Sequence, residues 1–287
     1  MTAAEEASDR ALALLAEREP GLSGDRMSWT LLSPCIIVGW ALVLMLLERL
    51  FPYHPQRLFR TGFFTDLIGY GLLQSYLLGF LISFVIRAID AKTGWSKLGL
   101  VSHWPVLAQL GFFFVTHDFY IYWFHRLQHK SDLLWRTHEA HHSVDDVDWL
   151  SGTRSHAFEI MINQTVEFLP IVLLGAAPEI ALMKATLDAV WGMYIHSNLD
   201  VRAGWSQRVL NGPEMHRWHH ASNLPMPGRN FATKLALWDW LFGTAHLPPH
   251  KPERYGLLDD AYPKRGFFAY VLQHAHSLRR AKEEPHG

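Results

Sequence analysis

The sequence has a single cysteine, Cys35, in 287 residues, which excludes an internal disulfide framework. Charge is also scarce: 18% of the residues are charged, and they sum to −1. Without a basic excess, no nucleic-acid partner is expected. With 49% hydrophobic and 13% aromatic residues, the composition is not that of a disordered chain. No internal repeat and no low-complexity tract occurs. In the first 28 residues no basic stretch precedes an apolar run, so no signal peptide is expected. No flavin fingerprint or haem-binding fusion is visible, so electrons for any redox step are expected from a separate carrier.

What is present is unevenly distributed. The mean hydropathy of +0.01 is that of a soluble protein, yet it averages two unlike kinds of segment. Residues 1–28 are polar and alanine-rich, and are expected to form a tail or a surface helix. Trp29 to Leu47 carries no charge and is long enough to cross the hydrocarbon core of a bilayer. Leu67 to Ile86 forms a second apolar run, interrupted by Gln74, Ser75 and Ser83. Trp104 to Phe124 forms a third, with Thr116, His117 and Asp118 inside it. Phe158 to Tyr194 reads as a hairpin broken at Gly175-Ala176-Ala177-Pro178. About four to five apolar segments indicate an all-α, multispanning membrane bundle, with residues 29–287 as one domain. Arg49, Arg57, Arg60, Arg126, Lys130, Arg136, Arg154, Arg202, Arg208 and Arg217 lie between or after the runs, which would make that side cytoplasmic. Arg87, Lys92 and Lys97 count the other way.

Histidine is the residue in excess. There are 18, and eleven of them fall between His117 and His220. His125 and His129 stand four apart; His138 precedes His141 and His142; His216 precedes His219 and His220. On a helix, residues three or four apart share a face, so each cluster aims two or three imidazoles at one spot. Eight imidazoles exceed the ligand number of one transition metal, and two ions are the economical reading. His117, His156 and His196 stand alone nearby. His54, His103, His246, His250, His274, His276 and His286 lack such spacing and read as structural or exposed.

These residues resemble the fatty acid hydroxylase/sterol desaturase superfamily of integral membrane di-iron enzymes. The resemblance is strongest over residues 112–244. It rests on His117-Asp118, Tyr122-Trp123-Phe124-His125-Arg126 with His129, and Trp135-Arg136-Thr137-His138 with His141-His142-Ser143. It continues through Arg154-Ser155-His156, His196-Ser197-Asn198, the His216–His220 cluster, and Leu237 to Thr244. The resemblance implies a helical transmembrane bundle with a cytosolic cap that carries two irons. It implies His125, His129, His138, His141, His142, His216, His219 and His220 as core ligands, with His196 as an additional one. His117 and His156 match positions of ligands or of groups that support ligands; Ala157 stands where many members carry proline. The Asn-Tyr-Gly of many members is Asn230-Phe231-Ala232 here, so a phenol at that position is not required.

The implied reaction is oxygen-dependent hydroxylation of a C–H bond of a membrane lipid, with two irons, O2 as co-substrate and electrons from a ferredoxin or cytochrome-b type carrier with its reductase. A desaturase on the same site is the alternative. A histidine-rich metal transporter or sensor is a third reading, but transport would spread ligands through the apolar runs, and most here follow them. Zinc, which imidazole also binds, is expected as an adventitious occupant. Carboxylates commonly orient ligating imidazoles, and Asp118, Glu139, Asp145, Asp146, Glu159, Asp188, Glu214 and Asp239 are the candidates. Glu159, Asn163 and Glu167 recur every four residues, as do Lys184, Asp188, Gly192 and His196. These stripes are expected to face the bundle interior and lead towards the metals; the alternative is a Lys184–Asp188 pair that only satisfies itself.

Overall fold

The computed structural model describes residues 28–222, 228–258, 262–264, 266 and 268–279. Of the expected polar segment at residues 1–28, only Ser28 falls within them. Nine α-helices and no β-strand occur among the described residues.

Helix α1 (Trp29–Leu50) takes in the whole first apolar run. The second run begins as a π-helix at Thr65–Gln74 and continues as α2 (Ser75–Thr93). The π-helical stretch turns Asp66, Tyr70 and Gln74 inward together. Among the described residues, these two elements are the ones long and apolar enough to cross a membrane, with mean hydropathies of 2.3 and 1.8. Burial covers only 11% and 17% of their most apolar windows. A core helix of a soluble protein would be buried, so the exposed Leu42, Leu46, Phe80 and Phe84 fit a lipid-facing surface.

Helix α3 (Val106–Gln128) follows, then α4 (Asp132–His142). The expected hairpin is α5 (Ala157–Leu173) and α6 (Glu179–His196). At about 1.5 Å per residue each arm is about 26 Å long, slightly less than the hydrocarbon thickness. Helix α7 (Pro213–His219), α8 (Leu237–Leu241) and α9 (Ala269–His276) complete the chain.

Packing brings the hairpin to the centre. Leu44 of α1 meets Met193 of α6, Phe63, Trp149, Leu150 and Leu199 in one core. Phe113 of α3 meets Ile171, Ile180 and Val101 in another. Polar anchors tie the two long apolar helices to the histidine-bearing segments. Glu48 accepts from the backbone N–H of Trp149 (2.8 Å) and Asn198 (2.7 Å). Arg154 is held by Asp66 through both Nε (2.6 Å) and Nη2 (3.1 Å). Arg60 bridges Asp66 and Asp148, each at 2.8 Å. Arg60, Arg154 and Arg217, counted above towards membrane orientation, are therefore buried structural cations.

Candidate metal centre

The local geometry of each cluster is helical, as the spacing predicts. His125 lies in the last turn of α3 and His129 caps it. His138, His141 and His142 fill the end of α4. His216 and His219 lie on α7 with His220 at its C-cap, and His196 ends α6.

The fold draws nine histidines into two adjacent groups. One contains His125, His129, His138, His142 and His219; the other contains His141, His196, His216 and His220. Within each group the ligating nitrogens all lie within 4.8 Å of one another. His142 and His220, one from each group, have ring centroids 4.7 Å apart.

Hydrogen bonds fix the tautomers. His125 Nδ1 donates to the Phe231 carbonyl and His219 Nδ1 to the Arg229 carbonyl, both at 2.7 Å. His141 Nδ1 donates to the Arg154 carbonyl (3.0 Å) and His196 Nδ1 to the Gly192 carbonyl (2.7 Å). His138 Nδ1 donates to Glu159 Oε1 (3.1 Å). An imidazole with its proton on Nδ1 has only a lone pair on Nε2. Yet His125 Nε2 lies 3.0 Å from His138 Nε2, and His141 Nε2 lies 3.2 Å from His196 Nε2. Facing lone pairs repel, and a cation between them converts that repulsion into attraction. The Nε2 atoms of His129, His142 and His219 are likewise buried without a partner. Burial and the neighbouring imidazoles push His138, His142, His216, His219 and His220 well below the usual histidine range. Burial also lowers His141, against the pull of Glu159. At neutral pH these rings are therefore uncharged donors, and the set fits two transition-metal ions.

The remaining candidates have other partners. His117 lies apart, with Glu167 and Asp188. His156 caps α5 and binds Ser277 Oγ at 2.8 Å. Of the carboxylates, Glu159 is the one bonded to a ring of the two groups. Asp118 does not orient an imidazole. It accepts from Thr233 Oγ1, the backbone N–H of Lys234 and Leu235, and Trp238 Nε1, all within 3.0 Å, and so anchors that loop to α3. Asp239 accepts from the N–H of Phe231 (2.8 Å) and Ala232 (2.9 Å), which sets the Phe231 carbonyl against His125. Burial raises Asp239 to about 6. Glu139 pairs with Arg279 (2.8 Å), Asp145 with Lys264 (2.7 Å), and Glu214 with Arg202 (2.5 Å). Asp188 pairs with Lys184 (2.6 Å) and Lys234 (3.3 Å).

Four of the five fixed Nδ1 atoms thus bind main-chain carbonyls, which leave no mark in a side-chain pattern. Gly152 is a further contributor that the spacing did not mark. A Cβ there would stand 2.6 Å from His196 Nδ1, so only glycine lets this loop close over the ring. Asn230 takes φ +57°, a left-handed conformation that asparagine tolerates. Its side chain bridges the Met215 and His246 carbonyls, both at 2.8 Å. Phe231 then packs its ring on His125, His129 and His219, so the position uses an aromatic face and needs no hydroxyl.

A cavity of about 230 Å³ opens beside His125, His138, His141, His196 and His216 and runs between α3, α5 and α6. Glu159, Asn163 and Glu167 of the first stripe and Asp188, Gly192 and His196 of the second line it, whereas Lys184 does not and pairs with Asp188 and Glu167 instead. A Cβ on Gly192 would meet nothing within 4 Å, so the residue leaves open space beside His196. Glu159→Ala should lower metal affinity or turnover by roughly 10–100-fold, because His138 loses the group that fixes its tautomer. Metal titration of the purified variant checks this; unchanged affinity would refute it.

Comparison with known proteins now places the chain. Residues 110–244 match the family model for fatty acid hydroxylases. Over 238 residues the chain is 30% identical to an ornithine lipid hydroxylase of Rhizobium tropici, covering 80% of this chain and 72% of that one. Over 144 residues it is 30% identical to the alkylglycerol monooxygenase of Homo sapiens, covering 50% of this chain and 32% of that protein. It is also 29% identical over 147 residues to a very-long-chain aldehyde decarbonylase of Oryza sativa, covering 50% of this chain and 54% of that one. No solved structure matches. The chain belongs to the fatty acid hydroxylase family, within the fatty acid hydroxylase/sterol desaturase superfamily.

Proposed function

We propose that this chain is a membrane lipid hydroxylase whose two histidine groups each hold one iron. The observation that carries the reading is the convergence of nine neutral imidazoles, five with Nδ1 already bound, beside a cavity lying between helices of a membrane-exposed bundle. When bound, the irons supply the dioxygen chemistry that removes hydrogen from an unactivated C–H bond. The protein's share is binding, orientation and exclusion of water. Ile121, Phe124, Ile160, Trp191 and Ile195 give the cavity an apolar lining, and Gly192 leaves room for a chain next to His196. Glu159 and four carbonyls keep the ring protons on Nδ1, which leaves Nε2 free for metal.

The relatives named as lipid hydroxylase and alkylglycerol monooxygenase support a lipid substrate. The chain is multi-pass, with residues 29–287 as one membrane-embedded unit and the metals on the cytoplasmic side. The length and exposure of α1 and of Thr65–Thr93 support this reading, as does their attachment to the cap through Glu48 and Asp66. A separate ferredoxin or cytochrome-b type carrier supplies the electrons.

The test is oxygen labelling. Membranes containing the chain, supplied with iron, reductant and 18O2, should yield a lipid carrying one labelled oxygen atom. An unlabelled, unsaturated product would make the chain a desaturase. A single bound zinc per chain with no oxygen consumption would favour transport or sensing.

A further inference from the structure

The far end of the cavity is polar, and the metal groups do not account for it. Behind its wall lies Lys184, fully buried, among three acceptors that do line the cavity: Asp188 Oδ2 at 2.6 Å, Glu167 Oε1 at 3.0 Å and His117 Nδ1 at 3.1 Å. A lysine ammonium has three donors and no acceptor, so all three are engaged. The ammonium stands where a cation bound by His117, Glu167 and Asp188 would stand, which argues against a third metal site.

This arrangement fixes the state of His117. Because Nδ1 accepts from Lys184, the ring proton of the neutral imidazole lies on Nε2. That Nε2–H is buried without a partner, on a residue only 8% exposed that lines the cavity. Glu167 Oε2 lies 3.9 Å from it, too far for a direct hydrogen bond. A donor and an acceptor separated by that gap suit one atom that both accepts and donates. Asn163 and Gln164, on the same wall, add further amide groups.

Helix geometry gives the distance to the metal groups. His117 and His125 are eight residues apart on α3, about 12 Å along the axis. Glu159, which binds His138, and Glu167, which binds Lys184, are eight apart on α5 and give the same spacing. The cavity is smaller than the roughly 300–1,000 Å³ typical of pockets for drug-sized ligands. It therefore admits part of a lipid, not the whole.

We infer that His117 Nε2 and Glu167 Oε2 bind a hydroxyl-class group of the lipid substrate, about 12 Å from the carbon presented to the metals. This rests on the lipid-oxidising reading above and sets its substrate class: a chain with a second polar group, not a plain acyl chain. His117 is a positioning residue in this scheme and touches no metal. The hydroxyl has two possible sources, the lipid head or the chain itself.

Two matched pairs of probes distinguish them, with binding to the full-length, metal-loaded chain in detergent followed by tryptophan fluorescence, since Trp191 lines the cavity. The head pair is 1-O-hexadecylglycerol and its 2,3-dimethyl ether. The chain pair is 12-hydroxyoctadecanoic and octadecanoic acid. In at least one pair the hydroxyl-bearing member should bind about tenfold tighter or more, the effect of two hydrogen bonds. His117→Phe should reduce that ratio to near one while leaving metal content unchanged. Ratios near one for both pairs in the native chain would overturn the proposal, as would a ratio that His117→Phe leaves intact. If that variant does not fold, the native ratios decide alone. Hydroxyl-dependent binding without oxygen incorporation would count against the hydroxylase reading and leave this one standing.

Discussion

His142→Ala is expected to abolish most activity, by about 100-fold or more, and to remove about one metal ion per chain. The ring lies at the junction of the two groups. Its centroid is 4.8 Å from that of His129, 4.9 Å from His138, and 4.7 Å from both His219 and His220. Its Nε2 is one of the buried nitrogens with no protein partner. Loss of a group that merely orients a ligand typically costs about 10–100-fold, and loss of the ligand should cost more. Elemental analysis of the purified variant, paired with turnover, checks both effects. His103→Ala, in an exposed turn, is the control and should change neither. Full metal content in the His142 variant would remove that histidine from the ligand set.

The second large effect is one of stability. Asp66→Ala should destabilise the fold by about 3–5 kcal/mol, the usual penalty for stranding a buried charge. Asp66 is fully buried at the start of the Thr65–Gln74 π-helix and is the carboxylate bound to Arg154. Without it, Arg154 and Arg60 face each other in the interior, and only Arg60 retains a carboxylate, Asp148. The melting temperature should fall by roughly 6 °C or more. The damage should also reach the metals, because the Arg154 carbonyl holds His141 Nδ1. The His141 group should therefore lose metal before the His125 group does. Thermal unfolding followed together with metal release tests the coupling; an unchanged melting temperature would show that the network contributes little.

Both effects depend on features that differ in how far the sequence reveals them. The histidine clusters were legible because they are local. Three- and four-residue spacings on a helix place rings on one face whatever the rest of the chain does. The same holds for the first two apolar runs, which are longer than one face of a soluble helix needs. The stripes on α5 and α6 were legible for the same reason, and both contribute residues to the cavity wall, though Lys184 does not.

Asp118 shows where local reading fails. An ionisable group in an apolar run promises function, but its use here is to tie a loop more than 100 residues away to α3. Glu48 and Arg154 gave no periodic signal, because their partners come from distant parts of the chain.

The sequence by itself determined which imidazoles are available, that they come in helical sets, and that they adjoin apolar runs. Only the tertiary structure decided how they divide. His141 and His142 are neighbours in sequence but serve different groups, because successive residues on a helix diverge by about 100°. His219 joins the first group and His220 the second for the same reason. Which ring nitrogen remains free for metal was likewise settled by packing, since most of the acceptors that hold Nδ1 are carbonyls placed by loop closure over Gly152, by the Asp239-bound turn and by the main chain of α6. Every residue has a carbonyl, so no residue type could have marked these four in advance.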